Sequence, residues 1–132
     1  FRMGIEPDSL ISMEVWKPSM KTDTLIVFRE KMEIKNHESE LIVFTAFDAY
    51  GLFEVQVDCF PNNKSGREAI YDAWQQKLNR AFGESELVFA ARRWTTYSSN
   101  NNLVEITLSN EKYDEGKDFV SLNYLESLDD TS

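Results

Sequence analysis

The sequence predicts an α+β domain in which two helices pack on one face of a largely antiparallel six-stranded sheet. Three observations predict it. One amphipathic helix stands out over residues 65–83, a set of three short strand-like segments lies on each side of it, and the loops within each set are too short for parallel crossovers.

Taken in order, residues 1–16 hold the first helix. Pro7 suits a first helical position, and Ile11, Val15 and Trp16 fall near one face. Residues 17–23, with Pro18 and Ser19, read as a connector. The first strand is Leu25–Ile34, where Ile26, Phe28, Met32 and Ile34 alternate with Val27, Arg29, Lys31 and Glu33. The polar run Asn36-His37-Glu38-Ser39 turns the chain into a second strand, residues 41–49. That strand is apolar on both alternations and is expected to lie centrally. After the tight connection Asp48-Ala49-Tyr50-Gly51, residues 52–60 form a third strand, with Phe53, Val55, Val57 and Cys59 against Glu54, Gln56 and Asp58.

The second helix has Ser65 as its N-cap and Glu68 positioned to complete a capping box. Ile70, Ala73, Trp74, Leu78, Ala81 and Phe82 make its apolar stripe, and Arg67, Asp72, Gln75, Gln76, Asn79 and Arg80 lie off it. Gly83 is placed to stop it. Residues 87–97 then form a strand, 98–102 its hairpin loop, and 103–108 the next strand, with Val104, Ile106 and Leu108 on one side. Residues 110–118 are a charged loop, 119–125 the last strand, and 126–132 a frayed acidic tail. The order suggests two α-β-β-β pseudo-repeats, halves 1–60 and 61–126, with Leu25 matching Leu87 and Leu41 matching Leu103.

A length of 132 residues suits one domain, 1–132, and 42% hydrophobic residues suffice for a core. The net charge of −9 argues against nucleic acid, which needs concentrated Lys and Arg, and against anionic lipid. The single cysteine, Cys59, permits no internal disulfide. No run is long and apolar enough to span a membrane. Phosphate-loop, dinucleotide, nucleophile-elbow and zinc-protease motifs do not occur, so no cofactor is expected.

His37, the one histidine, sits in a polar turn and is expected to be exposed, with no His or Cys at metal-ligand spacing. Cys59 alternates with Val55 and Val57 and is expected in the core. Glu54 and Asp58 share a strand face about 13 Å apart along the backbone, wider than glycosidase carboxylate pairs unless the side chains lean together. Asn110, Asp114, Glu115 and Asp118 lack calcium-loop spacing. Asn63-Lys64-Ser65 fits a glycosylation acceptor. The outer sheet face collects Arg29, Lys31, Gln56, Arg93, Thr95 and Tyr97, a mix of cations, aromatic and polar groups suited to a protein or peptide partner.

Phe47-Asp48-Ala49-Tyr50-Gly51-Leu52, Phe82-Gly83, Trp94 and Glu105-Ile106-Thr107-Leu108 together resemble a pattern in small exported bacterial proteins and lipoproteins of unknown function. The resemblance covers roughly residues 41–124 and looks distantly like the helix-plus-meander domains of outer-membrane assembly lipoproteins and β-lactamase inhibitor proteins. It implies export to the periplasm or cell surface, with any lipid anchor upstream of Phe1, and carries over no catalytic residue. Three readings of function follow. The first is an exported, non-enzymatic protein- or peptide-binding domain. The others are a hydrolase using Glu54 and Asp58, and a small-ligand binder between helix and sheet near Trp74 and Trp94.

Overall fold

Two strands beyond the expected six complete the sheet, one in a segment read as a connector and one from the splitting of an expected strand. The structure, a computed structural model, describes residues 18–98, 101–112 and 118–127. Its elements are β1 (Pro18–Lys21), β2 (Leu25–Ile34), β3 (His37–Asp48), β4 (Gly51–Pro61), α1 (Lys64–Phe82), β5 (Glu86–Val88), β6 (Ala91–Tyr97), β7 (Leu103–Lys112) and β8 (Asp118–Ser127). The eight strands form one sheet, order β1-β2-β3-β4-β8-β7-β6-β5, and every neighbouring pair is antiparallel. The protein is therefore mostly sheet, with one helix among the described residues. The expected two helices on six strands, in three-stranded repeats, is corrected to two four-stranded meanders joined by α1. The helix expected over residues 1–16 lies outside the described residues, as do Asp114 and Glu115.

The extra strands have local causes. β1 starts at Pro18, which has no N–H to give and is tolerated at an edge; Ser19 Oγ donates to the Val27 carbonyl at 3.0 Å. The expected strand 87–97 is broken into β5 and β6 by a turn at Phe89–Ala90, closed by Val88 opposite Ala91. Phe89 takes φ 56° there, and no Gly or Asn marks the turn. Between β2 and β3 the turn is only Lys35–Asn36, with φ 51° and 66°, the two left-handed residues of a type I′ hairpin. His37, Glu38 and Ser39, expected in the turn, thus belong to β3.

α1 begins two residues earlier than its Ser-x-x-Glu pattern suggests. Asn63, not Ser65, is the N-cap: its Oδ1 accepts from Gly66 N–H at 2.8 Å. At the other end Gly83 N–H bonds to the Asn79 carbonyl, and Gly83 adopts φ 89°, ψ −162°, a region glycine enters without a Cβ clash. The buried helix residues are Gly66, Arg67, Ile70 and Leu78, while Tyr71 and Trp74 pack half-buried on the core. Arg67 thus replaces Ala81 and Phe82 on the buried side; both of those are exposed.

The helix lies over β4, β8, β7 and β6. Ile70 and Leu78 meet Leu41, Cys59, Trp94, Val104, Ile106, Leu108 and Val120 in one buried cluster. Each such side chain contributes about 1.5–3 kcal/mol by leaving water. A second cluster, Ile26, Phe28, Val43, Phe47, Leu52 and Val55, extends the core across β2, β3 and β4. Trp94 is 2% exposed, and its indole N–H donates to both Asn79 Oδ1 (3.1 Å) and the Gly83 carbonyl (3.0 Å). It fixes the C-terminal end of α1 to β6. The start of the helix is fixed by contact: a Cβ on Gly66 would lie 3.0 Å from the His37 ring and from Pro61 Cβ. His37 is accordingly half-buried rather than exposed.

Two stability outcomes are expected. Trp94→Phe keeps an aromatic ring but removes the shared N–H, so chemical denaturation should show a loss of about 2–3 kcal/mol. Gly66→Ala gains helix propensity but presses on His37 and Pro61, and the contact should win by about 1 kcal/mol. A raised denaturation midpoint for Gly66→Ala would show that those neighbours yield instead.

Candidate functional site

The pairing register divides the sheet into two faces. One carries the core; the other carries Arg29 and Lys31 on β2, Glu54, Gln56 and Asp58 on β4, Ser121 and Asn123 on β8, Glu105 and Thr107 on β7, and Arg93, Thr95 and Tyr97 on β6. All six expected site residues share this outer face, but they do not converge. β2 and β6 are five strand steps apart, about 24 Å at the usual spacing. Arg29 and Lys31 lie toward one edge, Gln56 in the middle, and Arg93, Thr95 and Tyr97 toward the other.

Most of these residues already have partners. Arg29 Nη1 meets Glu40 Oε1 at 3.4 Å, an exposed pair of the kind that contributes about 0–1 kcal/mol. Arg93 Nη2 meets Glu86 Oε2 at 2.9 Å, across the β5–β6 ladder. The hydrogen bond to Glu86, then its charge, and more weakly Glu105, push the Arg93 guanidinium still higher in pKa, so it stays charged. Its Nε is buried without a hydrogen-bond partner. Thr95 and Tyr97 are exposed.

At the centre of the face a polar ladder bridges the two meanders. Asn123 Nδ2 donates to Glu54 Oε2 at 2.8 Å and to Gln56 Oε1 at 3.2 Å. Gln56 Nε2 donates to both carboxylate oxygens of Asp58 at 3.2 Å, and Ser121 Oγ donates to Asp58 Oδ1 at 2.8 Å. Asp58 is only 6% exposed, so these bonds stand in for the water it has lost. Gln56 separates the two carboxylates, and each acts as an acceptor within the ladder. Ser121 and Asn123 were not singled out from sequence. Their alternation with Val120, Leu122 and Tyr124 marks them as outward-facing, but only the pairing of β4 with β8 brings them to Glu54 and Asp58.

Beyond the ladder, at the β2–β3 hairpin and the β4–α1 turn, lies an open groove of about 720 Å³. Phe60 is on its wall, half-buried and stacked on Phe119 with ring centroids 5.0 Å apart. Lys31, Glu33, Glu38, Glu40 and Lys64 line it too, so carboxylates outnumber ammonium groups there. Asn62 bridges to Glu38 through its side chain at 3.4 Å and its backbone N–H at 3.2 Å. Of the expected residues only Lys31 reaches this groove; neither Glu54 nor Asp58 lines it. The helix–sheet interface near Trp94 is filled by Ile70, Leu78 and Ile106.

Cys59 is fully buried on the core face, as its alternation implies. Burial pushes its thiol pKa up, against a smaller opposite pull from a hydrogen bond with Ser39. Burial likewise raises Tyr124. Among the described residues no group of three His, Cys, Asp or Glu side chains could hold a metal ion. Among the described residues, too, no helix is long and apolar enough to cross a membrane. Glu126, expected in the frayed tail, lies within β8 instead, 8% exposed and accepting from Asn102 Nδ2 at 2.7 Å.

No protein-family model, curated protein or solved structure matches this chain. The resemblance to exported bacterial proteins therefore rests on its turn and core residues alone.

The two raised acids set an alkaline expectation. Each stays protonated in the folded state at a pH where the unfolded chain ionises, so its contribution is whole below the ordinary thiol and phenol range and is lost above it. The urea midpoint should fall from about pH 8.5 upward. Cys59→Ala should lower the plateau below that pH but flatten the first part of the fall. An unchanged slope would mean that Cys59 ionises equally well folded.

Proposed function

We propose that this chain is an exported, non-enzymatic domain that binds a protein or peptide, and that the groove beside Phe60 is its docking point. One observation carries the reading. The groove combines a half-buried aromatic wall with a rim of opposite charges, on a face otherwise closed by its own ion pairs and amide ladder. Small-molecule pockets are mostly apolar and enclose their ligand. This groove is open and polar-rimmed, which suits one apolar side chain of an extended segment with charged neighbours. The excess of Glu33, Glu38 and Glu40 over Lys31 and Lys64, on a chain of net charge −9, favours a basic partner. Export enters the proposal through the motif resemblance.

Selection of a displayed random-peptide library on the purified domain tests this. Sequences with Lys or Arg beside an aromatic or aliphatic residue should enrich, and should bind Glu38→Lys/Glu40→Lys about tenfold more weakly. Failure to enrich any sequence, or equal binding to the charge-reversed variant, would remove the groove as the docking point.

A further inference from the structure

The second core cluster is dry, yet α1 does not cover it. Ile26, Phe28, Val43, Phe47, Leu52 and Val55 are 0–3% exposed. They share a side of the sheet with the first cluster: Phe28 pairs with Val43, Val43 stands two residues from Leu41, and Leu41 pairs with Cys59. Thr45, between Val43 and Phe47 on that side, is fully buried too, and gives its hydroxyl to the Ile26 carbonyl at 2.8 Å rather than to water. α1, the one helix among the described residues, lies over β4, β8, β7 and β6. The half-buried apolar side chains packed on the second cluster are Val57 and Tyr124, both from the sheet itself. A sheet hides side chains of this size on one face only beneath a second layer.

We infer that residues 1–17 are this layer, and that they dock their apolar side chains on the cluster across β2, β3 and the start of β4. This goes beyond the peptide-binding reading and does not need it. The segment joins the sheet at the right place. It runs into Pro18, whose partner across the β1–β2 ladder is Phe28, a member of the cluster. Its composition fits as well: Leu10, Ile11, Met13, Val15 and Trp16 are five of the eight residues before Pro18. Its length suffices. Even at about 1.5 Å per residue, the shortest rise given for a regular helix or strand, seventeen residues extend further than the two strand steps from β2 to β4, about 10 Å.

The other stretches outside the described residues do not fit the cluster. Residues 128–132 read Leu-Asp-Asp-Thr-Ser, one apolar side chain beside two carboxylates. A carboxylate laid on a dry apolar surface loses its water without a partner to replace it. Residues 113–117 join Lys112 to Asp118, at the end of the ladder where Phe60 and Phe119 stand, whereas Phe47 and Leu52 pair at the opposite end. Residues 99–100 are Ser and Asn. Docking of 1–17 takes the core side of the first meander out of reach of any partner.

Nuclear Overhauser spectra of the full, isotope-labelled chain test the inference. Cross-peaks should join the Trp16 indole, or the Leu10 and Ile11 methyls, to methyls of Ile26, Val43, Leu52 and Val55. A protease site placed between Lys17 and Pro18 gives a second readout. Cutting it and stripping off the released peptide should raise the emission of a dye that binds exposed apolar surface severalfold. Adding the synthetic 1–17 peptide back should reverse the rise. Should the stripped chain unfold, the cross-peaks of the uncut chain still decide. The absence of cross-peaks from 1–17, their replacement by cross-peaks from 113–117 or 128–132, or cross-peaks that form only between labelled and unlabelled copies would each overturn the proposal. So would a stripped chain that stays folded and does not bind the dye. None of these outcomes depends on peptide capture.

Discussion

The indole N–H of Trp94 ties the helix to the second meander. α1 must carry the chain from β4, in the middle of the sheet, to β5 at its far edge. Nineteen residues make a rod of about 28 Å, and the crossing is four strand steps, about 19 Å. The rod is longer than the crossing, so it has to be set obliquely and to end in a fixed place. Asn63 caps its start and His37 and Pro61 press on Gly66; at its finish Gly83 releases the chain and Trp94 holds the last turn. The bond from Trp94 joins a side chain of β6 to a carbonyl just past the helix. It therefore sets both the helix end and the position of the sheet's far half.

Much of this was legible because it follows from alternation. β4, β7 and β8 read correctly as strands, and Val104, Ile106 and Leu108 face the core as their period of two requires. The burial of Cys59 followed from the same rule. What escaped were features set by backbone conformation without a residue signature. A turn through Phe89 at positive φ carries no glycine, and the hairpin at Lys35–Asn36 carries only an asparagine. β1 is short, contains proline and has an irregular register, so no window of alternation reveals it. The Asn63 cap lost to a more complete pattern at Ser65, although Asn is as good a cap chemically.

The outer face was legible as a set of residues but not as a site. A strand's alternation says which side a residue faces; it says nothing about which strand lies beside it. Gln56 and Arg93 share a face by parity, yet two strands stand between theirs. Conversely, Ser121 and Asn123 come against Asp58 and Glu54 only because the last strand returns to the centre. The resulting ladder holds its carboxylates with amide and hydroxyl donors rather than cations.

The seam between β4 and β8 joins residues far apart in the chain, as the Ser121–Asp58 and Asn123–Glu54 bonds show, 63 and 69 positions distant. β8 is the last strand of the sequence described. A ribosome making this protein therefore releases β4 long before its neighbour exists. Until the final strand emerges, the middle of the sheet is itself an unsealed border, and the first meander waits with half its central ladder unmade. Contacts this distant slow folding, because the intervening chain must be ordered before they form. The central seam therefore cannot close until β8 has been made.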